Sequence, residues 1–184
     1  MTTVAFLLSI VIGLLLAETR VSREHERRLR ARGAFLPDGD VYRPLALLYP
    51  TAFLAMGLEG MWRAAQHLTT PLGEAGPSWT ASGVVLFAAS KALKYWAIGA
   101  LRERWTFRVY IEPDLPLVTT GPYRYIAHPN YVAVVGELVG AAMMFGALVT
   151  GPIMFVLFGA ALWARVRFET RVLREATGGR GTSE

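Results

Sequence analysis

The sequence predicts an all-α integral membrane protein of five transmembrane helices, with the N-terminus outside and the C-terminus in the cytoplasm. Three observations carry that expectation. Of 184 residues, 53% are hydrophobic and only 18% charged, with a mean hydropathy of +0.36. The apolar residues stand in uncharged blocks such as VAFLLSIVIGLLLA, and do not alternate with polar ones as they would in a soluble domain. The segments between blocks alternate between arginine-rich and free of lysine and arginine, which is the pattern that serial threading through a bilayer leaves.

The spans are expected at 3–17, 45–63, 79–101, 129–148 and 152–168, each near the roughly 20 residues that cross a hydrocarbon core. The first and last are short, so tilt or local thinning is expected there. The first segment lacks a basic start, ends LLLAE without a small-residue cleavage site, and is followed by arginines, so it reads as a membrane helix and not a signal peptide. Beyond it, ETRVSREHERRLRARG combines helix formers with mixed charge and prolongs the helix onto the membrane surface, where its arginines meet anionic lipid. PDGD then makes a turn at Pro37 and Gly39.

Arg20, Arg23, Arg27, Arg28, Arg30, Arg32 and Arg43 follow the first span, Arg102, Arg104, Arg108 and Arg124 the third, and Arg165, Arg167, Arg171, Arg174 and Arg180 stand at the end of the last span and in the tail. These connections are therefore expected in the cytoplasm. The net charge of +5 and the isoelectric point near 9.9 come from this arrangement. Because the arginines flank apolar spans with no aromatic platform among them, nucleic-acid binding is not expected. Cysteine is absent, which excludes disulfides, thiol nucleophiles and cysteine metal sites. His25, His67 and His128 lie far apart and no His or carboxylate pair has metal-ligand spacing, so no metal is expected. No repeat divides the chain. It reads as a single domain over 1–184, with a three-helix membrane part at 1–101 and a functional core at 102–176.

Charges inside spans cost at least about 2.5–3.5 kcal/mol on insertion scales, so Glu59, Lys91, Lys94 and Glu137 stand out. Counting about 1.5 Å per residue from the cytoplasmic ends, Lys94 and Glu137 both lie roughly 10–12 Å deep. They are expected to face one another or a shared polar cavity bordered by Lys91, either as a structural pair or as part of the chemistry. Glu59, in the outer half of its span, reads as a helix–helix hydrogen bond.

The stretch GPYRYIAHPNYVAVVGEL, from 121 to 138, sets polar groups at the threshold of the fourth span. Gly121 and Pro122 make a turn. Pro129 excludes His128 from helical geometry and suits the first helical position, so His128 becomes a residue of the helix lip. First-turn N–H groups, beginning with Asn130 and Tyr131, are expected to point to the cytoplasm and favour an anionic group. Asn130, Val134 and Glu137 share one helix face and carry polarity inward. Together these read as the mouth of a cofactor site opening on a buried cleft.

These residues carry a family resemblance. Gly-Pro-Tyr-Arg at 121–124, His-Pro-Asn-Tyr at 128–131, Glu137 six positions later, and Arg165 with Glu169 and Leu173 in the last span resemble the membrane methyltransferases related to isoprenylcysteine carboxyl methyltransferase. The preceding KYWAIGALRERWTFRVYIEPDLP is similar to the corresponding segment of bacterial members. Ala127 replaces a basic residue usual in that family and Thr170 a second glutamate, so roles attached to those positions are not carried over.

The resemblance implies S-adenosylmethionine as methyl donor, bound from the cytoplasm over the last helical hairpin, and a lipophilic acceptor arriving from the bilayer. Leu117, Val118, Gly121 and Tyr123 would line the adenosine side. His128, Pro129, Asn130 and Tyr131 would hold the amino-acid part, and Glu169 would accept hydrogen bonds from ribose or ammonium. Arg165 would orient an acceptor oxygen, with His128 or Glu137 as a base where the acceptor is a phenol or enol. No Gly-x-Gly-x-x-Gly follows a strand, so a Rossmann-type site is not expected. Small bacterial relatives of this type are associated with methylating alkyl resorcinols or pyrones made by type III polyketide synthases, which implies an acceptor and a partner pathway of that class. An NADPH-dependent membrane sterol or enone reductase, a phospholipid N-methyltransferase and a non-enzymatic membrane scaffold are the alternatives.

Overall fold

The computed structural model describes residues 1–37, 39, 42–66, 77–111 and 118–178. Among the described residues there are five α-helices: α1 Thr2–Ala31, α2 Tyr42–Ala65, α3 Pro77–Leu101, α4 Pro129–Phe145 and α5 Thr150–Gly178. Short 3-10 turns follow α3 at Arg102–Arg104 and precede α4 at Gly121–Arg124. Strand pairing among the described residues is confined to an isolated antiparallel bridge between Phe35 and Ile111.

Four helices, all but α4, are long and apolar enough to cross a membrane. The expected fourth span, 129–148, is cut to 17 residues. Its end has a specific cause. Gly146 takes a left-handed conformation, φ 64°, that side-chain-bearing residues rarely adopt. The Ala147 N–H then turns back to the Ala142 carbonyl at 2.9 Å, closing the helix in the manner of a glycine C-cap. α1 runs through the charged stretch without a break, as expected, and α5 continues past the expected end at 168 to Gly178.

In lipid, apolar surface gains little by moving from one apolar medium to another, so helices associate through close contact at small residues. The α3–α4 pair has that geometry. A Cβ at Gly140 would stand 2.7 Å from the Phe87 backbone nitrogen, and one at Gly136 would collide with the Ser90 hydroxyl. Around this seam Val11 and Leu15 of α1, Phe53 and Met56 of α2, Phe87 of α3, Leu138 and Met144 of α4 and Phe158 of α5 form one core. All five helices contribute to it, α1 included. Glu59 acts as anticipated for a helix–helix bond. Its carboxylate accepts the N–H groups of Leu148 (2.9 Å), Val149 (3.1 Å) and Thr150 (2.7 Å), and the Thr150 hydroxyl at 2.6 Å. An α2 side chain thereby caps α5.

Candidate functional site

Where α4 and α5 meet, three predicted residues come together around the Tyr131 hydroxyl. That hydroxyl donates to Glu169 Oε2 and accepts from Arg165 Nε at 3.4 Å. Arg165 is buried, and its Nη2 donates to the Phe107 carbonyl at 2.9 Å. Arg165 and Glu169 lie one turn apart on α5, and the tyrosine from α4 bridges them. Glu169 is only partly buried, and among the described residues its Oε1 is not engaged.

The rim is built as the Pro motif requires. His128 stands at the N-cap of α4 with φ −131° and ψ 65°, outside helical geometry. Its ring stacks on Tyr131 with centroids 5.4 Å apart. The expected pair of free amides is corrected in one respect. The N–H groups of Tyr131 and Val132 both bond to the His128 carbonyl, at 3.1 and 3.2 Å, so that among the described residues Asn130 is the first-turn residue whose N–H has no such backbone bond. The Asn130 side chain is engaged, its Oδ1 accepting from Trp105 Nε1 at 3.3 Å.

The Gly121–Arg124 turn docks on α3 beside this rim. Gly121 has φ +62°, and a Cβ there would approach Ala100 Cβ to 2.9 Å, so glycine allows both the turn and its close seat. Tyr123, half-buried, has its phenol pushed above its ordinary pKa by desolvation and next by the Glu169 charge. The phenol is therefore close enough to sense that carboxylate. Val118 lies just before this turn; Leu117 is outside the described residues.

Glu137 goes elsewhere. It is six residues, about 9 Å along the axis, deeper than Tyr131, and fully buried. Lys94 Nζ lies 2.8 Å from its Oε1 and Lys91 Nζ 2.9 Å from its Oε2. The expected Lys94–Glu137 pair is present, with Lys91 on the same cluster. Two further members join it. Glu18 of α1 receives Lys91 at 2.5 Å and Lys94 at 3.1 Å, and the Tyr49 hydroxyl of α2 donates to Glu137 while accepting from Lys94 at 3.0 Å. Two lysines thus face two glutamates, and the cluster is formally neutral. Glu18 was missed because the first span was ended at 17. Its spacing from Val11 and Leu15, at seven and three residues, places it on the same buried face. No group of three or more His, Cys, Asp or Glu able to hold a metal occurs among the described residues.

A helical membrane protein with an arginine, a tyrosine and a carboxylate joined at the mouth of its last helical pair is the class that fold and site define. The chain belongs to the isoprenylcysteine carboxyl methyltransferase (ICMT) family, whose profile matches residues 83–175. The match runs from α3 through the mouth to the Arg165–Glu169 turn, so α1 and α2 lie outside it. Two bacterial proteins are similar along most of their length. One is the uncharacterised protein YpbQ of Bacillus subtilis (strain 168), 27% identical over 170 residues, covering 92% of this chain and 95% of YpbQ. The other is an uncharacterised protein of Haemophilus influenzae, 24% identical over 151 residues, with 81% and 82% covered. No solved structure matches.

Proposed function

We propose that this protein is an S-adenosylmethionine-dependent O-methyltransferase acting at the cytoplasmic membrane face on a lipophilic acceptor, either a long-chain alkyl resorcinol or pyrone-type lipid or a prenylcysteine-like carboxylate. Membership of a methyltransferase family supports the reaction class. The observation that carries the site is the Tyr131-centred cluster of Arg165 and Glu169 at the α4–α5 mouth. Its donor set suits the cofactor. An ammonium and a ribose diol call for a partly exposed carboxylate, which Glu169 supplies, and a carboxylate suits the Asn130 N–H at a helix N-terminus. Tyr123, His128 and Tyr131 offer aromatic surface beside it.

When bound, S-adenosylmethionine supplies an electrophilic methyl on a sulfonium. The chain's own part is positioning and exclusion of water, which together can remove several kcal/mol from a displacement barrier. Arg165, anchored at both ends of its guanidinium by Tyr131 and Phe107, presents fixed positive charge to an acceptor oxygen and favours its ionised form. His128 at the lip accepts the proton of a phenol or enol; a carboxylate needs no base. Glu137 is tied into the lysine cluster, so the acceptor chemistry falls to Arg165 and His128.

The direct test is mass spectrometry of lipid extracts from cells with and without the protein, fed methyl-labelled methionine. A labelled methoxy or methyl-ester lipid found only with the protein is expected. Label on an amine headgroup would convert the reading to N-methyl transfer, and no labelled lipid would overturn it. The orientation rests on the arginine alternation. Alkaline phosphatase fused after residue 73 is expected to be active and after residue 113 silent; the reverse overturns the threading.

A further inference from the structure

The segment joining α3 to the site does not rest on the family-matched core alone. It lies along the charged half of α1. Arg28 pairs with Glu103 at 2.7 Å, His25 Nδ1 meets the Trp105 carbonyl at 2.8 Å, and Arg30 donates to the Tyr110 hydroxyl at 2.7 Å. Phe35 and Ile111 exchange backbone bonds at 3.1 and 3.0 Å. In the middle of this lacing, the Phe107 N–H donates to Ser22 Oγ at 2.9 Å. The carbonyl of the same residue accepts Arg165 Nη2 at 2.9 Å.

We propose that Ser22, on a helix outside the family match, is a positioning residue for Arg165, acting through Phe107. This inference rests on the proposed function only in giving Arg165 an acceptor to orient. Ser22 is fully buried. Its own O–H is directed at Glu26 Oε1, 3.3 Å away, which turns an oxygen lone pair toward the Phe107 amide. The height of Ser22 is itself fixed, because Glu18, one turn earlier on the same face of α1, is held by Lys91 and Lys94 of α3. A rigid path therefore runs from the buried ion cluster up α1 to Ser22, across Phe107, and onto the guanidinium. Without the serine oxygen, a part-buried amide loses its acceptor and the backbone must shift or admit water to satisfy it. The carbonyl that anchors Arg165 shifts with it. The other four ties hold the segment to α1 and to the residues just after it, so the fold survives the loss and the effect falls on Arg165.

The test uses the full chain in lipid nanodiscs, as parent, Ser22→Ala and Ser22→Thr. Two readouts are taken. In protein labelled with 15N-arginine, the Arg165 side-chain signals, assigned by their loss in Arg165→Lys, are expected to show slow hydrogen exchange in the parent. Ser22→Ala should speed that exchange about tenfold while Ser22→Thr, which keeps the hydroxyl, should not. With S-adenosylmethionine and pentadecyl resorcinol as probe acceptor, Ser22→Ala should lower kcat about tenfold with KM for the cofactor unchanged and the protein still folded at the assay temperature, and Ser22→Thr should restore it. Arg165 exchange unaltered by Ser22→Ala overturns the inference whatever the turnover. So does an equal defect in the Thr variant, which would trace the effect to packing and not to the hydroxyl. If the parent transfers no methyl yet Arg165 exchange responds as described, the positioning stands and the methyl-transfer reading of this acceptor fails.

Discussion

Two polar constellations built from similar residues meet opposite fates. In the cluster of Glu18, Lys91, Lys94, Glu137 and Tyr49, every charge has a counter-charge from another helix, and all four ionic side chains are almost wholly buried. At the mouth, Tyr131, Arg165 and Glu169 are joined too, yet Glu169 is partly exposed and only one of its oxygens is engaged among the described residues. A closed set whose charges meet one another across three helices serves to lock those helices. An open set with a partly exposed carboxylate is the one to which the proposed function assigns the cofactor. The lesson is that charge at membrane depth marks importance, while completeness of pairing distinguishes architecture from binding.

The largest effect is expected in the closed set. Lys94→Met or Glu137→Gln alone strands an opposite charge among apolar groups and should destabilise the protein by about 3–5 kcal/mol in mixed-micelle denaturation. The double variant, which keeps the Lys91–Glu18 pair, should recover nearly all of that and retain turnover. A double-mutant cycle with coupling below about 0.5 kcal/mol would show that the two side chains do not interact, and an inactive but stable double variant would return Glu137 to the chemistry.

Next comes Glu59, whose carboxylate accepts three backbone amides at the start of α5. Glu59→Ala should lower stability by about 1–3 kcal/mol without changing cofactor affinity beyond what unfolding explains. At the open set the pattern inverts. His128→Ala should weaken S-adenosylhomocysteine binding by about 1–3 kcal/mol while thermal stability stays near the parent's. Equal losses of stability and affinity would mean that the mouth is architecture as well. The smallest effect belongs to Tyr125, exposed on the same turn region. Tyr125→Ala should change stability by less than about 0.5 kcal/mol, and a larger loss would mean that this exposed ring helps to hold the turn.

Much of this arrangement is written in local sequence. Apolar blocks marked all five helices to within a few residues at most ends, and Pro129 fixed the start of α4 and the lip position of His128. Lys94 and Glu137 were matched by counting depth from helix ends, which works because helix rise is constant. What escaped was non-local. Glu18 looked like the first polar residue past a span, since hydropathy cannot tell a helix that leaves the bilayer from one that turns a carboxylate inward to lysines on another helix. Tyr49 looked like one more aromatic in an apolar run, and Ser22 like a residue of a solvated arginine-rich stretch. The early stop of α4 was present in Gly146, but an apolar run on both sides concealed it. The role of Phe107 involves its backbone alone, which no side-chain pattern records.

The most direct measurement is the affinity of the purified protein for S-adenosylhomocysteine, taken by isothermal titration on the parent, Glu169→Gln, and the Lys94→Met/Glu137→Gln double variant, with NADPH as a competing candidate. The parent should bind S-adenosylhomocysteine and ignore NADPH. Glu169→Gln should lose about tenfold or more, equivalent to at least about 1.4 kcal/mol, and the double variant should bind like the parent. Binding of NADPH in place of S-adenosylhomocysteine, or an affinity unchanged by Glu169→Gln, would contradict a cofactor site at the α4–α5 mouth.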